Sequence, residues 1–215
     1  MIRIECEQGT KAWLDAKLGV PSASNFHRIL TPSTMKFSKS SAGYCHELIA
    51  EQLIGAPLDD ATTGFMQRGS AVEHEALSWY ELQRNVDVEQ VGFLLRDDGR
   101  IGCSPDGLVG DDGDLEIKVL NAKNHIGVLL DGIGDDYRCQ QQGRLLITGR
   151  RWSDLVCYHP TFPSVLIRVE RDEKFIAALD EAIARFLSYL DESKLKLQRQ
   201  YGLFPTERIP ALRIA

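Results

Sequence analysis

The chain reads as an α/β protein: a central mixed β-sheet flanked by α-helices. Three observations predict this. Apolar residues recur at helical spacing early in the chain, short alternating strands crowd its middle, and a helix pair, two strands and a closing amphipathic helix follow. Residues 13–18 form a short helix ended by Gly19, Val20 and Pro21, and Ser22 or Ser24 caps a second helix over 25–30. The Ser-, Thr- and Lys-rich stretch 31–41 predicts a mobile loop. A helix over 43–54 is stopped by Gly55, Ala56 and Pro57. A long helix over 65–84 presents Met66, Val72, Ala76, Leu77 and Tyr80 as a buried stripe. Strands are expected at 86–88, 91–95, 100–104 and 114–119, the last two joined by a Gly/Asp-rich turn over 106–114. Helices over 121–130 and 136–147 flank the break at Asp131, Gly132, Ile133 and Gly134. Strands at 154–158 and 165–170 lead into a helix from 173 to about 199, with Phe175, Leu179, Ile183, Phe186, Leu187 and Leu190 on one side.

At 215 residues, 43% hydrophobic and 26% charged, the chain can bury a full core. It shows no repeats, linker or domain boundary, so one domain over 1–215 is expected, with 201–215 (Pro205, Pro210) as an extended arm that docks on a neighbour. No apolar run reaches the roughly 18–20 residues of a membrane span, and residues 1–7 lack the apolar core of a signal peptide. The five cysteines are scattered, with no CxxC pair. That argues against a disulfide framework, a zinc site or an iron–sulfur cluster, and for a reducing cytosol. The net charge of −6 is unevenly spread: residues 1–118 carry 11 Lys+Arg against 19 Asp+Glu, and residues 119–215 carry 14 against 12. This balance argues against general coating of nucleic acid and leaves room for a local DNA track.

The chemistry concentrates in Ser104, Pro105, Asp106, Gly107 and in Leu115, Glu116, Ile117, Lys118. In the second strand Leu115, Ile117 and Val119 alternate with Glu116 and Lys118, so the acid and the lysine share a face. Asp106, at the end of the first strand, then lies near Glu116. Two convergent carboxylates beside an ammonium suit a hard-cation site for phosphoryl chemistry, the lysine activating or orienting water. A solvated hairpin with a salt bridge is the bland alternative. Apolar residues flanking Glu116 and Lys118 speak against it. The pattern D-x(9)-E-x-K, with Pro105, is the PD-(D/E)xK signature of a large nuclease superfamily.

Other residues complete the constellation. Glu73 opens the long helix and adds a third carboxylate, or else is a first-turn acid favoured by the helix dipole. His74 is a solvated neighbour. Tyr137, Gln140, Gln141 and Arg144 share a helix face suited to phosphate and water contacts, although a plain solvated face has the same spacing. Lys17, Ser24 and Ser104 form a small anion pocket at a helix N-terminus, or are ordinary capping residues.

The ordered series Trp13, Lys17 to Val20, Ala23 and Ser24; Gly69 and Glu73; Ser104 to Leu108; Leu115 to Lys118; Tyr137, Gln140 and Gln142 resembles the lambda exonuclease family, the YqaJ-type viral recombinase nucleases. Residues 169–174 add to the resemblance, which covers about residues 10–195. It implies a restriction-endonuclease-like core and a Mg²⁺-dependent, processive 5′→3′ exonuclease on linear duplex DNA, with Mn²⁺ as a substitute and two ions per site. It also implies a ring-shaped homotrimer, no membrane association, and transfer of the 3′ single strand to a single-strand annealing protein in a bacterial or phage-infected cytoplasm. By position, Asp106, Glu116 and the Ile117 carbonyl would bind metal, Lys118 would act on water, and Glu73 and Gln140 would support them. Lys17, Ser24 and Ser104 would hold the terminal 5′-phosphate, with Tyr137 among the DNA contacts. The family pattern has arginine where this chain has Lys17, which loses the bidentate fork, and 31–41 gives no strand-splitting residue. Two other readings stand beside this one: an endonuclease or junction resolvase of the same superfamily, and a non-catalytic DNA-binding or assembly module.

Overall fold

The computed structural model describes residues 1–58 and 62–204, the side chains of 62–71 excepted. Its centre is a five-stranded mixed sheet in the order β10-β9-β8-β7-β4. The strands are β4 (Val88–Glu89), β7 (Gly107–Val109), β8 (Gly113–Val119), β9 (Trp152–Tyr158) and β10 (Val165–Glu170). All neighbours are antiparallel except β8 and β9, which run parallel with Asp114 beside Ser153 and Glu116 beside Leu155. A parallel pair needs a crossover, and the helices α4 (Ala122–Asp131) and α5 (Asp135–Thr148) supply it. Helices α3 (Thr62–Arg84) and α5 cover opposite faces of this sheet. Thus the α/β class, with helices flanking a mixed sheet, is the one read from the sequence. Among the described residues no helix is long and apolar enough to cross a membrane.

Period-2 alternation sorts β8 between two cores. Leu115 and Ile117 pack with Ala76, Leu77 and Tyr80 of α3, while Asp114 and Glu116 point to the other face, toward α5. Polar bonds fix α3 on its side: Tyr80 Oη donates to the fully buried Asp154 (2.8 Å), which also takes two bonds from Arg168 (2.8 Å each). Of the stripe read for α3, the Met66 side chain lies outside the described residues. The second core joins α2 (Ser41–Ile54), α5 and α6 (Glu173–Tyr201). All six residues expected on the apolar side of α6 are buried there. Asp172 caps α6 by accepting from Phe175 N (3.0 Å), and Gly202 ends it in the left-handed region (φ 67°).

Four local readings are corrected. The stretch 106–114 is not an open turn: β7 occupies Gly107–Val109 and pairs with Gly113–Leu115, leaving three connecting residues. Two of its glycines, Gly107 and Gly113, mark close packing, while Gly110 (φ 53°) makes the turn. A Cβ on Gly107 would meet Val88 Cγ1 at 2.0 Å, and one on Gly113 would meet Trp152 Cη2 at 2.1 Å. The preceding strand, β6 (Gly102–Cys103), belongs to a separate sheet with β5 (Phe93–Leu95) and β1 (Ile2–Ile4), an N-terminal strand the sequence reading passed over. The loop 31–41 holds a small hairpin of β2 (Leu30–Thr31) and β3 (Lys36–Phe37), turned at Met35 (φ 51°) and packed on the core through Phe37. The helix expected over 25–30 is a 3₁₀ helix over Ala23–Arg28. At the C-terminus Tyr201 is still helical and Phe204 folds back under Lys194, while 205–215, most of the expected arm, lies outside the described residues.

The 3₁₀ helix packs on α5 at Gly143, where an added Cβ would meet Phe26 Cδ2 at 2.5 Å. Phe26 is fully buried and has no room to yield. Alanine favours a helix over glycine by about 1 kcal/mol, whereas overpacking a close-packed core costs about 1–3 kcal/mol. Gly143→Ala is therefore expected to be net destabilising, by up to about 2 kcal/mol, seen as a lower urea midpoint at unchanged slope. An equal or higher midpoint would show that this contact does not limit the packing.

Candidate active site

The site forms where β7 stops short and β8 continues. The Asp106 N–H donates to Leu115 O (3.0 Å), and its carboxylate accepts from the Ile117 N–H at 2.5 Å. In an extended strand the N–H and C=O of alternate residues face the same edge. The Ile117 carbonyl therefore points to the edge that β7 has vacated, beside Asp106. Gln8 fixes the approach to Asp106 by donating to Val91 O and Pro105 O (2.8 Å each).

Glu116, 5% exposed, has a distinct partner set on each oxygen. Oε1 accepts from Gln140 Nε2 (2.8 Å) and pairs with Lys118 Nζ (2.5 Å). Oε2 pairs with Arg144 Nη1. Arg144, 1% exposed, also grips Asp114 Oδ1 through Nε (3.1 Å) and Nη2 (2.8 Å), and Ser153 Oγ bonds both Arg144 and Asp114. Arg144 was read from the sequence as part of a face for phosphate and water. It lies instead in the interior, spanning two carboxylates. Gln141, from the same set, is also buried. Tyr137 is half-buried one turn before Gln140.

Charge is distributed asymmetrically. Burial and then Glu116 push the Asp106 carboxyl well above the usual range, Glu73 adding to the rise and the Ile117 N–H opposing it. Burial also works against an ionised Glu116, but Arg144 and Lys118 outweigh it and hold its carboxyl low. Lys118 is likewise opposed by burial and raised overall by Glu116, so it is an ammonium. Glu73 lies at the rim of the cleft, raised by burial and by Glu116. Among the described residues no three His, Cys, Asp or Glu side chains converge as a metal-binding group. Glu73 therefore acts on the pair through its charge and does not close a three-carboxylate cluster. His74 is exposed beside it.

Lys17 and Ser104, expected to share an anion pocket, both meet Trp13, a residue that the sequence gives no role. Trp13 donates its indole N–H to Ser104 Oγ (2.8 Å), and the Lys17 ammonium stands 3.6 Å above its ring centroid. Burial lowers the Lys17 ammonium to about 8, partly offset by Glu51 and Glu116. Ser24 is exposed and bonded to Ser22 Oγ (3.0 Å), and the Ser22 backbone pairs with Gly102, two residues before Ser104. Lys17 and Ser104 are thus joined through Trp13, with Ser24 reached through the Ser22–Gly102 bridge. An open cleft of ≈ 760 Å³ runs from Trp13 past Asp106, Ile117 and Glu73 toward β1.

The YqaJ-like viral recombinase domain matches residues 12–151, and that span holds all of these side chains except Gln8 and Ser153. The chain belongs to this family. An alkaline exonuclease from Laribacter hongkongensis (LHK-Exo) is 32% identical, with a TM-score of 0.79 over 90% of this chain and 98% of its own. Its complex with dAMP matches equally well. A phage-related exonuclease from Haemophilus somnus 129PT, 14% identical, shares the fold (TM-score 0.62, covering 83% of this chain and 96% of its own). No curated protein sequence matches. The family supports a nuclease role for this YqaJ-like domain.

The donors fit a hard divalent cation. Asp106 and Glu116 are carboxylates, the Ile117 carbonyl adds a neutral oxygen, and the suppressed ionisation of Asp106 is the state that a nearby cation relieves. A carboxyl raised in the folded state binds protons that the unfolded chain has released. It therefore lowers stability as pH climbs from the ordinary Asp range toward its raised value. In EDTA, Asp106→Asn is expected to gain stability relative to wild type over that climb, read by urea unfolding. With Mg²⁺ at a hundred times its Kd, wild type should gain about 2.7 kcal/mol and the variant should gain nothing.

Proposed function

We propose that the chain is a Mg²⁺-dependent, processive 5′→3′ exonuclease that digests one strand of linear duplex DNA to mononucleotides and leaves a 3′ single strand for annealing-type recombination. The observation that carries this reading is the adjacency of an end pocket (Lys17, Trp13, Ser104) and the Asp106–Glu116–Lys118 group, close enough for the Glu116 charge to act on the Lys17 ammonium. The dAMP complex of the 32%-identical relative supports a deoxynucleoside monophosphate product.

Asp106, Glu116 and the Ile117 carbonyl would hold the metal, two Mg²⁺ with Mn²⁺ as substitute, which offsets charge on the scissile phosphate and makes water more acidic. Lys118, held as an ammonium by Glu116, orients the attacking water and stabilises the charge that builds on phosphate oxygens. Gln140 and Glu73 support the water and the acids, and Tyr137 lies along the strand's path. Water attacks the phosphorus between the first two nucleotides, the P–O3′ bond breaks, and the departing 3′ oxygen takes a proton. The first nucleotide leaves as a 5′-monophosphate, and the second now carries a 5′-phosphate for the same pocket. A homotrimeric ring, an annealing-protein partner and a cytoplasmic setting in a bacterial or phage-infected cell complete the proposal on family resemblance.

Digestion of linear duplex beside a covalently closed circle tests the reaction. Wild type with Mg²⁺ should consume the linear DNA only, and Lys118→Ala should be slower by roughly 10²–10³-fold. Cutting of the circle would move the protein to the endonuclease class. The pocket has its own test, because kcat/KM reports the free enzyme. Lys17 loses its charge as pH rises through about 8. The kcat/KM preference for 5′-phosphate over 5′-hydroxyl ends should fall across that range, and Lys17→Arg should flatten the fall.

A further inference from the structure

Arg144 is the largest of the fully buried side chains, and its guanidinium is committed on every side. Nη1 meets Glu116 Oε2, Nε and Nη2 meet Asp114 Oδ1 at 3.1 and 2.8 Å, and Nη2 meets Ser153 Oγ at 2.5 Å. Asp114 and Glu116 are alternate residues of β8 on one face, and Ser153 is the parallel neighbour of Asp114 on β9. The two oxygens of Glu116 therefore differ in kind. Oε2 is held by a planar fork anchored to the sheet. Oε1 is held by Gln140 and by Lys118, side chains that are only half-buried.

The geometry points to Arg144 as the positioning residue of the cation site. It fixes the Glu116 carboxylate through Oε2, so that Oε1 is the oxygen offered to a divalent cation. Asp114, helped by Ser153, tethers Arg144 and shares its charge. One guanidinium between two carboxylates leaves a net negative charge in the trio, and Oε1 is the Glu116 oxygen whose partners, Gln140 and Lys118, are only half-buried. Without Asp114, the full charge of Arg144 would fall on Glu116 and compete with the metal. This inference rests on reading Glu116 as a metal ligand. It adds a division of labour between its oxygens and a task for Asp114, Arg144 and Ser153, none of which touches metal or DNA.

A plain structural ion pair predicts lost stability with unchanged cation binding in whatever protein folds, and positioning predicts weakened binding. Mn²⁺ titration followed by electron paramagnetic resonance, on protein shown folded by circular dichroism, separates them. Arg144→Lys keeps the charge, but one ammonium cannot span both carboxylates. It is expected to bind Mn²⁺ about 10–100-fold more weakly, the range for partners that orient a metal ligand. Asp114→Asn keeps the shape and removes the shared charge, and should weaken Mn²⁺ about tenfold. It decides the matter should the lysine variant not fold. Wild-type Mn²⁺ affinity in the folded variant would overturn the inference. Glu116→Gln is the control: if it binds Mn²⁺ like wild type, the metal-site reading itself fails; if it loses binding while Arg144→Lys does not, only the positioning role fails.

Discussion

The buried contact of Arg144 with Asp114 and Glu116 is the constraint on which the rest of this molecule depends. Three ionised groups taken out of water cost several kcal/mol each unless they are paired and hydrogen-bonded. The fold meets part of that cost by placing two carboxylates at alternate positions of one central strand and a single guanidinium across both, while Asp114 Oδ2 keeps no partner and burial raises the Asp114 carboxyl. Everything nearby follows from keeping α5 close enough for the contact. Gly143 lets the 3₁₀ helix press on the neighbouring turn of α5. Gln142 ties α5 to the start of α6, donating to Glu170 O and accepting from Asp172 N (2.8 and 2.9 Å). Arg171 adds a bond to Leu145 O (2.5 Å).

The same arrangement explains why the two acids of the site are unlike. Glu116 lies inside a cage of three donors and stays ionised in the interior. Asp106 has one backbone N–H and two acidic neighbours, so it resists ionisation. A pair built this way is incomplete by itself: one member is satisfied from behind and the other awaits positive charge in front. The proposed cation would supply that charge, at a pair of carboxylates that the fold places and leaves only half compensated.

Much of this was legible in the sequence, for identifiable reasons. The alternation of Leu115, Glu116, Ile117 and Lys118 fixed which side chains share a face, because a strand's period is two. The apolar stripe of α6 was equally plain, every residue of it being buried. Misreadings came where one residue type serves two ends. Glycine signals a turn by its backbone freedom and a close contact by its missing Cβ, and 106–114 was read by the first when Gly107 and Gly113 act by the second. Arg144 was placed on the correct helix face but assigned to solvent, since arginine is seldom buried. A second acid two residues before Glu116 was the available signal for a buried partner. Trp13 gave none: its link between Lys17 and Ser104 is tertiary, spanning 91 positions to Ser104.

The Lys17–Trp13 contact bears on how an exonuclease of the proposed kind moves. Each cleavage regenerates the 5′-phosphate that the pocket recognises, so the pocket engages once per nucleotide and must release once per nucleotide. Equal stabilisation of ground and transition states does not raise kcat, and a bidentate grip on the terminal phosphate deepens both. A lone ammonium on an indole face is a point charge without a fork, and its half-buried position lowers it to about 8. Such a group attracts an arriving phosphate dianion, which restores its charge, and holds it through one donor centre. The lysine at position 17 thus trades depth of binding for ease of stepping, while Ser104, held by the Trp13 indole N–H, keeps the pocket in place between steps.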